Sequence, residues 1–416
     1  MYWIQHRTMN NSNPSKSVWE QVSQHPWFPY ILFFILAISI LNFIYNTIFP
    51  AFTLTGIDFR VYYDYSVNPD PRLADTEYPW FLYLPIWSFL MKPFILFSFP
   101  VAKNIWVIIN ILLLVVFIQY SYTWCLNKLP GVHSLFLVTL ISAMVLNFSP
   151  AEVSIRNGQI NILILLLMGY SFYAYEKGLR VWSALALAVC ITTKITPAVL
   201  LLFWAWKREW KLVGLTIGFY FLMFLLPLPI LGSELYKNYF ILGQHYATCV
   251  KIHYNNFGNV SLYSFFRNAM DHGWLSPYFP AMGSQIYFSF TMIVLSCVVS
   301  ARKTEKNMQL FALEYGLWCV TMTLLSYFNE NHYYVFTLIT FITSIASIHL
   351  IHGPFRITLL VVSWFLIYVT FLIEDLSQQH PFALNYLDFV GVLILFSVML
   401  NNIWDFKKKT TYVQST

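Results

Sequence analysis

Residues 27–63 read WFPYILFFILAISILNFIYNTIFPAFTLTGIDFRVYY. No side chain between Trp27 and Phe49 is charged, and about 20 such residues suffice for a helix to cross a hydrocarbon core about 30 Å thick. The run has no small-residue cleavage site, so it is expected to be a retained anchor rather than a signal peptide. Directly after it come Gly56, Asp58, Phe59, Tyr62 and Tyr63, a carboxylate set among aromatic side chains where the chain leaves the bilayer. Similar apolar runs recur along all 416 residues, of which 58% are hydrophobic and only 10% charged, against roughly 25% charged in soluble domains. Mean hydropathy is +0.60. This composition excludes a soluble enzyme, a disordered chain and a nucleic-acid reader, and it predicts an all-α polytopic membrane protein.

About 12 spans are expected, near 27–49, 79–98, 104–126, 133–150, 159–175, 182–204, 211–232, 284–301, 308–327, 332–352, 355–374 and 384–402. They form a single integral membrane domain without linkers or repeats. Three basic clusters flank the spans: Lys207, Arg208 and Lys211; Arg302, Lys303 and Lys306; Lys407, Lys408 and Lys409. Positive flanks mark the cytoplasmic side. Alternation then gives a cytoplasmic segment at 1–26, outer loops at 50–78 and 233–283, and a cytoplasmic tail at 403–416. Lys128, Lys177 and Arg180 run against this scheme, falling in outer loops. The five cysteines form no CxxC pair, so neither a disulfide framework nor a zinc site is expected.

Ionisable residues in or beside membrane spans are costly and therefore candidates for function. Asp58 is the first. Apolar surroundings favour the neutral form of a carboxyl, so its anion is a better proton acceptor, as a general base requires; a solvated loop acid paired with Arg60 is the plain alternative. Arg156-Asn157-Gly158-Gln159 precedes an apolar run and is either an anion site at a helix N-terminus or a simple cap. Lys194, in Thr192-Thr193-Lys194-Ile195-Thr196-Pro197, lies inside an apolar stretch and must snorkel, form a pair or meet an anionic ligand such as phosphate. In the long outer segment, Asn259-Val260-Ser261-Leu262 leads to Arg267, a candidate for an anionic head group, while the histidines there lack metal-ligand spacing. His332, in Ser326-Tyr327-Phe328-Asn329-Glu330-Asn331-His332, is either structural or a group that moves a proton or holds a phosphate oxygen. Glu314 and Asp388 lie within apolar runs and are expected to be bundle-internal hydrogen-bonding groups.

The order of these features resembles the GT-C superfamily of glycosyltransferases, and most of all glycosyltransferase family 87, which includes bacterial alpha-mannosyltransferases. The family's Gly-x-Asp-Phe with following tyrosines is similar to Gly56, Asp58, Phe59, Tyr62 and Tyr63. Its Tyr-Pro, Pro and Trp are matched by Tyr78-Pro79, Pro93 and Trp106, its Gly-Gln-x-Asn by Gly158-Gln159-Ile160-Asn161, and its Lys-x-x-Pro by Lys194 with Pro197. Asn259, Ser261, Leu262 and Arg267 resemble a further element, and Ser326 with His332 a late one. Here Pro79 is followed by Trp80 rather than a second proline, and Asn331 precedes a single His332.

The resemblance implies a GT-C-type fold with outer loops forming the active-site face, in a bacterial inner membrane with the site facing the periplasm. It implies transfer of a sugar, mannose in the first instance, from a polyprenyl phosphate carrier to a glycan or glycolipid hydroxyl, with inversion. Asp58 is then the general base and His332 a second catalytic group. Lys194, Arg267, Tyr62, Tyr63, Asn259, Gln159 and Arg156 bind substrate or phosphate, without metal or other cofactor. The alternatives are the same fold with another carrier-linked sugar such as arabinofuranose, or a lipid-linked sugar transporter. One conflict stands: simple alternation puts Arg156 and Gln159 at the cytoplasmic edge, so they reach Asp58 only if a span within 133–205 is short or re-entrant.

Overall fold

The computed structural model describes residues 25–54, 56–67, 83–241, 259–300, 307–327, 329–351, 353–377 and 386–415, without the side chains of 370–377 and 409–415. Tyr78-Pro79, Asp70, Asp75, Glu77, His245, Lys251, His253 and the Arg302–Lys306 cluster lie outside the described residues, as do residues 1–24. The described chain is helical, with one isolated bridge between Asn259 and Glu330.

Helices α1 (Phe28–Phe43) and α2 (Phe49–Thr53), joined by a π-turn, carry the first apolar run to α3 (Ile57–Val67). Then follow α4 (Ile86–Leu90), a 3₁₀ turn (Lys92–Leu96) and the long α5 (Phe99–Lys128). Next come α6 (Ser134–Leu146), α7 (Ser149–Arg156), α8 (Asn161–Glu176), α9 (Arg180–Thr193), α10 (Val199–Trp206) and α11 (Trp210–Leu225). The remaining helices are α12 (Leu262–Asp271), α13 (Ala281–Val299), α14 (Met308–Leu324), α15 (Thr337–Ala346), α16 (Pro354–Ser377) and α17 (Leu387–Ser415), with a 3₁₀ turn (Asn331–Phe336) leading into α15.

Five described segments are long and apolar enough to cross a membrane by themselves, or six if the bent pair α6–α7 is one span. Their apolar side chains are left uncovered: Tyr30, Phe34 and Leu41 on α1, Phe221 and Leu222 on α11, and Ile286 and Phe290 on α13 are all exposed. In water such faces would be an aggregation hazard; against lipid they are satisfied. Helix α14 is the converse, buried on every side from Leu310 to Leu324, and forms the axis of the core. These segments make the chain an integral membrane protein.

Two expected spans differ. Residues 79–98 are not one helix: the described part forms α4 and the short 3₁₀ turn, in which Pro93 interrupts the run. This segment never leaves α3, because Tyr83 Oη lies 2.7 Å from Tyr62 Oη, Phe94 packs on Phe59, and Tyr63 Oη donates to the Phe97 carbonyl at 2.9 Å. Residues 182–204 are two helices rather than one. Lys194 is extended (φ −137°, ψ 136°), Thr196–Ala198 form a 3₁₀ turn around Pro197, and α10 runs back toward the start of α9, where Arg180 meets Glu209 at 3.3 Å. Proline and the residues before it resist continued α-helix, which turns an apolar run into a hairpin. A third break, of 55° between α6 and α7, falls at Asn147-Phe148-Ser149-Pro150.

The bundle therefore has two ends of different chemistry. At one end the tips 156–161, 194–197 and 326–333 converge on Asp58. At the other, Lys128 pairs with Glu176, Arg180 with Glu209, Arg356 with Asp405, and both Lys207 and Lys407 with Glu314.

Candidate active site

Asp58 lies in the first turn of α3, and that turn is fixed by the opposite tip. The Asn157 carbonyl accepts from the backbone N–H of Asp58 at 3.0 Å and from that of Phe59 at 3.3 Å. Phe59 is fully buried, stacked on Trp106 with ring centres 5.7 Å apart, and Trp106 Nε1 donates to the Gly158 carbonyl at 2.8 Å. Gly158 has φ +73°, and a Cβ there would stand 2.7 Å from Phe59 Cβ. Only glycine permits both this conformation and this approach. Three stretches picked out in the sequence, at 56–63, at Trp106 and at 158–161, thus lock one another in place.

Gln159 is the hub. Its side chain hydrogen-bonds the Asp58 carboxylate. Its carbonyl oxygen accepts from Tyr62 Oη at 3.2 Å and from Lys194 Nζ at 3.3 Å. Asp58 and Tyr62 are four residues apart and so share a helix face. Lys194 sits at the tip of the α9–α10 hairpin, its ammonium 4.0 Å from the centre of the Tyr333 ring, and its charge acts on both Asp58 and Glu330. Such a cation–π contact holds an ammonium without neutralising it.

The 326–336 segment supplies the remaining wall. His332 is 2% exposed; its Nδ1 is 3.1 Å from Glu330 Oε2, and its ring stacks on Tyr333. Asn161 Nδ2 donates to the His332 carbonyl at 3.2 Å, tying the Gly-Gln-x-Asn stretch to the late histidine. His332 Nε2 is buried without a hydrogen-bond partner among the described residues. Burial, and after it the Asp58 charge, raises Glu330 above the ordinary carboxylate range, with Lys194 opposing. Burial and then Lys194 hold His332 well below its usual value, which favours the neutral imidazole.

The structure thus gathers Asp58, Tyr62, Gln159, Lys194 and His332. Tyr63 points elsewhere, to the Phe97 carbonyl and the Phe99 ring. Asn259 is a bracket: its Oδ1 accepts from the N–H of Ser261 and of Asn329, both at 3.1 Å, which pins the start of α12 to the segment carrying Glu330. Arg267 lies on α12, where its charge acts on Tyr327. Arg156 ends α7, and its charge acts on Glu152. Glu330 and Tyr83 were not picked out from the sequence. Glu330 stands two residues before His332, a spacing that carries no signal without the 3₁₀ turn, and Tyr83 is recognisable only through its contact with Tyr62. No group of three His, Cys, Asp or Glu side chains among the described residues is arranged to hold a metal ion.

The family model for glycosyltransferase family 87 matches residues 81–327, more than half of the chain. The chain belongs to glycosyltransferase family 87. It is therefore an enzyme that transfers glycosyl groups. No curated protein and no solved structure matches it. The family 87 match contains Gln159, Lys194, Asn259 and Arg267, while Asp58, Glu330 and His332 lie beyond its two edges. Contacts in the fold, not the match, join those three to the rest.

Proposed function

We propose that this family 87 enzyme transfers a sugar, mannose in the first instance, from a polyprenyl phosphate carrier to a glycan or glycolipid hydroxyl on the outer side of a bacterial inner membrane. The observation that carries the reading is the union of a carboxylate, a lysine seated on an aromatic face and a buried histidine whose Nε2 has no partner among the described residues, delivered by tips distant in sequence. Asp58 takes the proton of the acceptor hydroxyl as its oxygen attacks the anomeric carbon. The bond from that carbon to the phosphate oxygen breaks, and its electron pair leaves with the lipid phosphate. Attack opposite the leaving group inverts the anomeric centre. Lys194 offsets the charge developing on the phosphate, with His332 beside it, in a role that a divalent cation plays for nucleotide diphosphates. Metal independence is therefore part of the proposal. Gln159 holds Asp58 and Lys194 in register and Tyr62 supports Gln159. Arg267 and Arg156 stand outside this core and serve, in this reading, the approach of anionic head groups.

The orientation rests on charge. Lys128, Lys177 and Arg180, which ran against alternation, belong with Lys207 and Lys407 at the end away from Asp58, since α5, α8 and α9 all run between that end and the site. The two changes in the fold offset each other: 79–98 stays at the Asp58 end, and 182–204 doubles back at Lys194. In this reading the number of passes stays even, about twelve, and Arg156 and Gln159 lie at the Asp58 end. With positive charge inside, Asp58 faces outward. The tails of the lipid carrier are accommodated by the uncovered apolar faces.

The test uses purified protein in nanodiscs with polyprenyl phosphate-mannose, following lipid phosphate release with and without chelator. Release that survives chelation and disappears in Asp58→Asn is expected. Retained turnover in that variant would remove Asp58 from the role of base, and no release with any carrier-linked sugar would overturn the reading.

A further inference from the structure

Glu330 has no part in the transfer step just described, yet it is the second carboxylate of the cluster and touches His332 directly. Its side chain is 26% exposed, with Oε2 3.1 Å from His332 Nδ1, whereas the His332 side chain is 3% exposed. The other ring nitrogen, Nε2, is buried and unpartnered among the described residues. A buried polar atom without a partner is costly and, in a site, marks where a ligand atom is missing. When one ring nitrogen faces a carboxylate, that carboxylate sets the ring's orientation and tautomer.

Charge adds a second constraint. Asp58 and Glu330 face one ammonium, that of Lys194, so the cluster carries one excess negative charge when both carboxyls are ionised, and burial with the Asp58 charge favours a proton on Glu330 that removes it. A sugar phosphodiester brings a further negative charge. With an ionised Glu330 at Nδ1 and a phosphate oxygen at Nε2, both ring nitrogens face acceptors and both carry hydrogen; the added proton comes from Glu330 itself, whose protonated form burial favours, or from water once Glu330 has lost it. Other titratable side chains near this pair are Tyr62, Tyr83 and Tyr333, and α7 and α17, packed on the 331–336 turn, carry Glu152, Arg156 and Asp388.

We propose that Glu330 is a positioning residue for the donor: it holds His332 through Nδ1 with Nε2 directed to the donor phosphate, and stabilises the imidazolium formed when a proton, from Glu330 or from water once Glu330 is ionised, passes to the ring on binding. This rests on the reading of the site as that of a lipid-phosphate-dependent transferase. Burial and then the Lys194 charge favour the neutral ring, so an anion at Nε2 is what shifts it to the charged form. The sign follows: as pH rises, donor affinity falls, because the proton that binding requires becomes scarcer.

The experiment measures lipid phosphate release from polyprenyl phosphate-mannose in nanodiscs, against donor concentration and pH, for the parent protein, Glu330→Gln, Glu330→Asp and His332→Asn. In Glu330→Gln the donor KM should rise about 10- to 100-fold, more than kcat falls. The alkaline limb of kcat/KM should move to lower pH by on the order of one unit, since the imidazolium has lost its counter-charge. Glu330→Asp, which keeps the charge, should restore the limb in part. Adding Glu330→Gln to His332→Asn should change neither KM nor the pH profile further, because Glu330 acts through the ring. A Glu330→Gln variant with the parent's pH profile and KM, or additive losses in the double variant, would overturn the inference. If Glu330→Gln does not fold, Glu330→Asp and the parent decide: a pH-independent donor KM in both overturns it. A parent protein that releases no lipid phosphate overturns the functional reading and this inference with it, whereas a working parent with an unaltered Glu330→Gln profile overturns only the latter.

Discussion

The two ends of the bundle are built from the same ingredients in opposite proportion. Away from Asp58, two lysines share one carboxylate: Lys207 and Glu314 have no exposed side-chain surface, and Lys407 reaches Glu314 Oε1 at 2.9 Å and the Val299 carbonyl. At the Asp58 end, two carboxylates share one lysine, Lys194 rests on an aromatic face, and His332 Nε2 has no partner among the described residues. The first cluster is closed on itself. It ties α10, α14 and α17 together, and a buried charge so paired is stable only while every partner remains. The second has the same cost of burial without the same closure, and groups left short of partners are what a charged ligand completes. Burial of charge alone does not mark a site; incomplete satisfaction does.

Five substitutions test that contrast, and Asp58→Asn should have the largest effect. Asparagine keeps the shape and can keep the Gln159 contact, but it cannot take a proton. Lipid phosphate release should fall about a thousandfold or more, with thermal unfolding in detergent and donor affinity unchanged. A loss of stability as large as the loss of turnover would mean that the Asp58 end is a lock as well.

Glu314→Gln comes second and should do the reverse. It leaves the Lys207 ammonium buried without a counter-charge, at a cost of about 3–5 kcal/mol. The unfolding temperature should drop well below the parent's, while the protein that remains folded turns over at the parent rate. Unchanged unfolding would break the comparison from the other side.

Lys194→Gln ranks third. The loss of one positive charge from the leaving-group side should lower kcat/KM on the order of a hundredfold, with little change in stability because, among the described residues, the ammonium has no carboxylate at ion-pair distance to orphan. A stability loss comparable to that of Glu314→Gln would identify Lys194 as a structural ion.

How far these differences could be read in advance depends on the range of the interaction that creates them. Hydropathy is local, so the helical membrane class was legible, and so were Asp58, Gln159, Lys194 and His332 as polar groups in apolar company. The direction of each run was not. The segment 79–98 has the length of a span, yet Tyr83, Phe94 and Phe97 hold it against α3; 182–204 is continuous in hydropathy but turns at Lys194 and Pro197. Apolar helices that cross and apolar hairpins that turn back look alike to a window average. The conflict over Arg156 and Gln159, which simple alternation puts at the opposite edge, arises for that reason, and Gln159 in fact lies beside Asp58. Glu330 was missed because its partners, Asp58 and Lys194, lie far upstream in the chain, and Asn259 was given to substrate because a polar residue that braces two loops has the same local signature as one that binds.

Tyr62 and Tyr63 give the smallest effect and the closest comparison, since they are adjacent and the sequence treats them alike. One residue of helix rotates the side chain by about 100°, and the consequences separate. Tyr62 Oη donates to Gln159 Oε1, the same oxygen that accepts from Lys194, and lies 2.7 Å from Tyr83 Oη. Tyr63 Oη is spent on the Phe97 carbonyl at the rim. Tyr62→Phe should therefore free Gln159 to rotate away from Asp58 and lower kcat/KM about tenfold, an effect seen in kcat as much as in KM. Tyr63→Phe should leave transfer at the parent level and lower stability by no more than about 1 kcal/mol, the net worth of one partly exposed hydrogen bond. Equal losses in both would mean that the α3 face is not what orders the site, and that the hydroxyls act only by holding α3 against α4; unequal losses in the stated direction tie the register of α3 to the geometry of Asp58.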